Sequence, residues 1–206
     1  MIIAVDGPAA SGKGTIARAL SRHYGLPHLD TGLIYRAVGV SVVRAGADPA
    51  DPDAAFAGAG FPESLLDDPE LRGEAAGRAA SLASAHPAVR AALIQRQRDF
   101  AGQAGGAILD GRDIGTVICP DADAKLFVTA SSQVRAERRH AEMVRMGQDN
   151  GFDAVMADIL ARDERDSARA AAPLRMPDDA YLLDTTDLGI AEAVAAAIAA
   201  VEARIS

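Results

Sequence analysis

Short apolar runs alternate along this chain with segments of helical periodicity. Five runs read as strands: Met1–Val5, Pro27–Leu29, Ala107–Leu109, Lys125–Thr129 and Tyr181–Leu183, each bounded by Gly, Pro, Asp or Ser/Thr. Helical patterns fill the intervals: Lys13–Tyr24 closed by Gly25, Leu33–Arg44 closed by Gly46, Val89–Phe100, Ser132–Met146 closed by Gly147, Asp153–Arg169 and Gly189–Arg204. Helices following strands through short links predict a doubly wound parallel sheet, with ligands at the carboxyl ends of its strands. Residues 46–70 break the alternation with Pro49, Pro52, Gly58, Gly60, Pro62 and Pro69, and read as an irregular insertion.

The junction between the first strand and first helix carries candidate chemistry. "GPAASGKGT", Gly7 to Thr15, puts Gly7-x4-Gly12-Lys13 between a strand and a helix start. Backbone N–H groups gathered at a helix N-terminus bind phosphate, glycine lets the main chain approach the anion, and the lysine reaches the outer phosphates. A ligand-free glycine-rich turn would not need the flanking strand and helix. Gly14 follows the lysine and the hydroxyl comes one place later, at Thr15, which departs from the commoner pattern.

Composition narrows the class. The 206 residues are 49% hydrophobic and 24% charged, enough for a sizeable core, and no run is long enough to span a membrane. A strand begins at once, so no signal peptide is expected, and the single Cys119 suits a reducing cytoplasm. A net charge of −8 argues against a general nucleic-acid or membrane binder. Of the 21 basic residues only Lys13 and Lys125 are lysine, which sets Lys13 apart.

Three further motifs carry charge. "DTGLIYR", Asp30–Arg36, follows the second strand, and "LDGRDIG", Leu109–Gly115, follows the third. In "RDERDSAR", Arg162, Asp166 and Arg169 are spaced i, i+4, i+7 and share one helix face. A solvated face with ordinary ion pairs would show the same spacing. Neither an "NKxD" nor a "TKxD" guanine motif is present. The four histidines fall in no motif, and zinc-ligand spacing is absent. Phosphoryl transfer needs alignment and charge neutralisation more than covalent chemistry, so an anionic phosphate acceptor would need no general base.

"IAVDGPAASGKGT", "LDTGLIYRA", "LDGRDIGTVICPDADAKLFVTAS" and "ARDERDSARAAAPL" resemble, in order and spacing, the motifs of the bacterial cytidylate kinases, a family of nucleoside monophosphate kinases. The resemblance runs end to end. It implies an α/β phosphate-loop NTPase fold, a five-stranded parallel sheet flanked by helices, as one kinase domain over 1–206. The core would be about 1–35, 86–138 and 170–206, the monophosphate-binding insertion about 36–85, and a short lid about 139–169. It implies transfer of the ATP γ-phosphoryl group to CMP or dCMP, with Mg²⁺ bound along with ATP and no metal-ligating residue assigned. A cytoplasmic monomer that binds neither nucleic acid nor membrane is implied as well.

Carried onto this sequence, the resemblance assigns Gly7, Pro8, Ala9, Ala10, Ser11, Gly12, Lys13, Gly14 and Thr15 to the ATP phosphates. Thr31, Arg36 and Arg112 would hold the CMP phosphate with help from Arg169. Arg162 and Asp166 would meet the ribose and the space between the nucleotides, and Ser81, Arg90 and Asp113 the cytosine edge. Lys13, Arg112, Arg162 and Arg169 would be catalytic. Arg135, Arg138 and Arg139 would lead into a mobile lid near 145–151, with Arg139 over ATP. Thr31 stands where many relatives have serine, and 46–70 is shorter than the longer relatives' insertion, where a small antiparallel sheet sits. A different acceptor on the same fold, namely UMP, AMP or a small hydroxylated metabolite, and a non-catalytic nucleotide-binding regulator stay open at this point.

Overall fold

A computed structural model describes residues 1–148 and 150–205. Asp149, within the expected lid tip, and Ser206 lie outside the described residues. The strands are β1 (Ile2–Asp6), β2 (His28–Asp30), β3 (Ala107–Gly111), β4 (Ala124–Thr129) and β5 (Tyr181–Asp184). They form one sheet in the order β2-β3-β1-β4-β5, and each neighbouring pair is parallel. The central strand β1 pairs Val5 with Asp110 of β3 and with Leu126 of β4. Apolar β1, β3 and β4 are buried because helices cover both faces, as parallel connections require.

The helices are α1 (Lys13–Tyr24), α2 (Thr31–Arg44), α3 (Pro52–Gly58), α4 (Glu74–Ala83), α5 (Pro87–Ala101), α6 (Ser132–Arg145), α7 (Phe152–Ala168) and α8 (Ile190–Ile205). One face of the sheet packs Ile3, Val5, Leu126 and Val128 against Ile16 and Leu20 of α1 and Ala197 and Val201 of α8. The other buries Leu109 with Ile114 and Ile118, in a single π-helical turn over Ile114–Ile118. A separate core of Ile34, Val38, Leu71, Ala80 and Leu93 joins α2, α4 and α5.

The chain from 46 to 70 is not irregular as expected. Helix α3 forms because Asp51 accepts from the backbone N–H groups of Asp53 and Ala54 and Pro52 occupies the first turn. Two 3₁₀ turns follow at Glu63–Asp67 and Pro69–Arg72. No described residue between Arg44 and Ala107 lies in a strand, so this insertion is helical. Helix α4 was not predicted at all. It docks on α2 at Gly39, where a Cβ would come within 2.7 Å of Ala79 Cβ, so the contact needs glycine there.

Candidate active site

The loop from Gly7 to Gly12 leaves the carboxyl end of β1 and enters α1. Gly7 has a φ of +152°, and a Cβ there would sit 2.0 Å from the Val128 carbonyl oxygen, so the loop can pass β4 only as glycine. Ala10 is held at a φ of +58°, an unfavourable region for a residue with a side chain. Helix α1 has Gly12 as its N-cap, no side-chain cap and no acidic residue in its first turn. Its free N–H groups therefore face an open space suited to an anion.

That space is a cavity of about 940 Å³, lined by the loop and by Lys13, Arg36, Asp110, Arg112, Arg139 and Arg162 among others. The carboxyl ends of β1, β2 and β3 and one face of α7 converge on it. Lys13 Nζ donates to the Pro8 carbonyl at 3.3 Å. Burial, followed by the positive charges of Arg112 and Arg162, pushes its pKa down to about 7 against the pull of Asp110 and Asp30. Burial and the neighbouring Arg112 also lower Arg162, to about 9. Arg162 Nε is buried and has no hydrogen-bond partner among the described residues. Arg36 donates to the Leu71 carbonyl at 2.7 Å and is lowered first by burial. Cations crowded together at the cost of their own ionisation mark a site built for concentrated negative charge.

The pKa of Lys13 gives a test. At pH 8 a group with a pKa near 7 is mostly neutral, and phosphates arriving beside it raise that pKa. ADP binding at pH 8 is therefore accompanied by uptake of close to one proton, seen in the dependence of calorimetric binding enthalpy on buffer ionisation enthalpy. At pH 6 Lys13 is already charged and its contribution disappears; Lys13→Met removes it at both pH values.

The remaining assigned residues each have a partner in the fold. Arg112 Nε donates to Asp166 Oδ2 at 2.8 Å, and Arg169 pairs with the other oxygen. Burial would raise the Asp166 carboxyl, but Arg112, Arg169 and Arg162 overcome it and hold it well below the usual carboxylate range. The Thr31 hydroxyl donates to the Asp110 carbonyl at 2.8 Å. Arg90 pairs with Asp113, both buried, and its guanidinium lies 5.4 Å from the centroid of the Tyr35 ring. The partner of Asp113 is thus another assigned base-reading residue rather than the adjacent Arg112. Its backbone carbonyl, not its side chain, supports the turn that follows. Ser81 is buried on α4.

Of the α6 arginines expected to lead into the lid, Arg135 binds Asp163 and the Ala9 carbonyl at 3.2 Å, fastening the helix to the loop. Arg138 donates to the Thr185 carbonyl at 2.7 Å. Arg139 lines the cavity and pairs with Glu142 at 2.7 Å.

Sequence reasoning missed several neighbours. His28 Nε2 lies 2.6 Å from Asp110 Oδ1, although no histidine stands in a motif. Burial and then Asp110 raise the pKa of Asp30. Asp6, at the end of β1, accepts from the backbone N–H groups of Ile114 at 2.9 Å and Gly115 at 2.8 Å, and burial pushes it up to about 7. Arg165 of α7 reaches Ser81. Asp110 lies in "LDGRDIG" at the carboxyl end of the third strand, and the same signal, a polar residue at a strand's carboxyl end, was available for Asp6.

Sheet order, loop and cation-lined cavity together define a phosphate-loop nucleotide-binding protein of the α/β class. The cytidylate kinase family model matches residues 3–203. The chain is 60% identical over 204 residues to the cytidylate kinase of Xanthobacter autotrophicus, covering 99% of this chain and 98% of that one. It is 60% identical over 205 residues to the cytidylate kinase of a Methylobacterium species, with the same coverage. A crystal structure of an uncharacterised protein from Eubacterium ventriosum, 14% identical, superposes with a TM-score of 0.57 over 99% of both chains, a likeness of fold alone. The chain belongs to the cytidylate kinase family. Among the described residues, no helix is long and apolar enough to cross a membrane.

Proposed function

We propose the following division of labour for the reaction of this nucleoside monophosphate kinase. The enzyme transfers the γ-phosphoryl group of ATP to CMP. A CMP phosphate oxygen forms the new bond to the γ-phosphorus, the bond from that phosphorus to the β–γ bridging oxygen breaks, and ADP leaves with the electron pair. The loop Gly7–Thr15 and the start of α1 hold the ATP phosphates. Lys13, Arg112 and Arg162 lie between the two nucleotides, where charge spreads in the transition state, and Arg169 supports them through Asp166. The nucleophile is already an anion, so no protein base is required.

Thr31 and Arg36 receive the CMP phosphate, Asp166 the ribose, and Ser81, Arg90 and Asp113 the base. Arg90 and Asp113 pair with each other and the rest with neighbouring side chains or backbone carbonyls, contacts that keep them ordered until the nucleotide takes over as partner. Residues 1–35, 86–138 and 170–206 serve as the core, 36–85 as the monophosphate-binding insertion and 139–169 as the lid. We extend the reading to dCMP, and to a monomeric cytoplasmic enzyme that binds neither nucleic acid nor membrane.

Among the described residues no cluster of three or more His, Cys, Asp or Glu could cage a metal by itself. Asp30 and Asp110 nevertheless face the cavity together beside Lys13, and their mutual repulsion contributes to the raised pKa of Asp30. Such a pair fits a hard cation held chiefly by phosphates and water. Mg²⁺ bound with ATP would neutralise charge on the outer phosphates there.

The observation that carries this reading is an Arg162 Nε without a partner among the described residues, beside a Lys13 driven toward neutrality, both at a phosphate loop. The test is a panel of acceptors with ATP, following ADP formation. CMP and dCMP are expected to support turnover well above UMP and AMP, with negligible ADP formed without an acceptor. Faster turnover with UMP or AMP would reassign the base site, and acceptor-independent ADP formation would make the chain a hydrolase or regulator instead.

A further inference from the structure

Arg165 stands outside the assigned set yet touches it. From α7, one residue before Asp166, its Nε–H donates to Ser81 Oγ on α4 at 3.1 Å. We infer that Arg165 is a positioning residue for pyrimidine specificity: by donating to the Ser81 hydroxyl, it leaves that hydroxyl to act as a donor toward the base. The inference rests on the base-facing role of Ser81 proposed above.

A guanidinium has only donors, while a serine hydroxyl has one proton and two lone pairs. At this contact Ser81 can only accept. Its own proton must point elsewhere, and among the described residues the Ser81 hydroxyl donates to no group. The residue is 3% exposed, so water does not readily supply the acceptor. A buried donor without a partner is costly unless a ligand completes it. Arg165 also forms no ion pair among the described residues. Its guanidinium is spent on a neutral hydroxyl across two helices, where a carboxylate would serve better if tying the helices together were its whole task.

The two pyrimidines differ at the edge such a hydroxyl would meet. Ring N3 of cytosine is an acceptor, whereas N3 of uracil carries a hydrogen and is a donor. A hydroxyl set to donate fits cytosine and meets uracil donor against donor, which rejects the wrong base as well as binding the right one. Asp113 is the complement, an acceptor suited to the cytosine amino group. Serine and carboxylate then match the alternating acceptor and donor of cytosine, and Arg165 sets the sense of the serine.

The experiment measures kcat/KM for CMP and for UMP in the wild type, Ser81→Ala, Arg165→Met and the double variant. Methionine keeps most of the stem and removes every donor. The ratio of the two substrates within one preparation is unaffected by the fraction of active protein. Arg165→Met is expected to lower the CMP-to-UMP ratio about tenfold, Ser81→Ala at least as much, and the double variant no further than Ser81→Ala. If Arg165→Met slows both substrates equally, it merely ties α7 to α4 and the inference fails alone. If it still lowers the ratio in the Ser81→Ala background, Arg165 reads the base directly and the positioning role is overturned. An unchanged ratio in Ser81→Ala would instead remove Ser81 from base reading and the inference with it.

Discussion

Lys13→Ala lowers kcat by about 10²–10³-fold, the loss seen when one preorganised donor to transition-state charge is removed, while the KM for CMP changes far less. In the free enzyme Lys13 is held near neutrality by burial, Arg112 and Arg162. Its charge is recovered when the phosphates arrive and is most valuable where negative charge spreads during transfer. An interaction of that kind appears in kcat rather than in ground-state affinity. Steady-state kinetics with ATP saturating and CMP varied provide the measurement. A kcat close to that of the wild type would take Lys13 out of the mechanism and leave the arginines as the transferring cations.

Asp113→Ala collapses the preference for CMP over UMP, chiefly by losing CMP. An ionised carboxylate only accepts hydrogen bonds, so at the proposed base edge it would receive the cytosine amino group and repel the uracil carbonyl. Its pairing with Arg90 sharpens the expectation. The two side chains are buried together, and Arg90 is also steadied by the Tyr35 ring. Removing Asp113 leaves a buried guanidinium without its carboxylate, at a cost of roughly 1–3 kcal/mol or more, so total activity falls as well. The ratio of kcat/KM for the two substrates separates the roles. If both activities fall together at a constant ratio, Asp113 only neutralises Arg90 and the base is read elsewhere.

Legibility in the sequence followed how local each feature is. The form of the loop was readable because it lies in contiguous backbone: glycines, a lysine and a helix start. Helices α1, α6 and α8 were bounded to within a residue or two, since amphipathic periodicity with a cap or a closing glycine is a local property. Helix α4 escaped because the buried stripe of "EAAGRAASLA" is built of alanine, glycine and serine instead of large apolar residues; it is fixed by close approach to Gly39 of α2. The insertion misread as irregular is rich in proline, yet Asp51 and Asp68 cap its short helices from the side chain. The strands ran one or two residues further than expected at Asp6, Gly111 and Asp184. Polar residues and glycine remain in a ladder when a neighbouring strand takes up their backbone groups, as Asp6 does opposite Gly111 and Phe127.

The sequence by itself determined the alternation of strands and helices, the phosphate loop, and several of the charged side chains at the strand ends, Arg36 and Arg112 among them. Only the tertiary structure decided who partners whom. Arg112 with Asp166, Arg90 with Asp113, Thr31 with the Asp110 carbonyl, His28 with Asp110 and Arg165 with Ser81 join residues 23 to 84 positions apart. No periodicity or spacing encodes those pairs. They arise because a parallel sheet ordered β2-β3-β1-β4-β5 brings the carboxyl ends of β1, β2 and β3 together and α7 closes over them, and in that buried space each ionised or polar group must find a partner or shift its pKa.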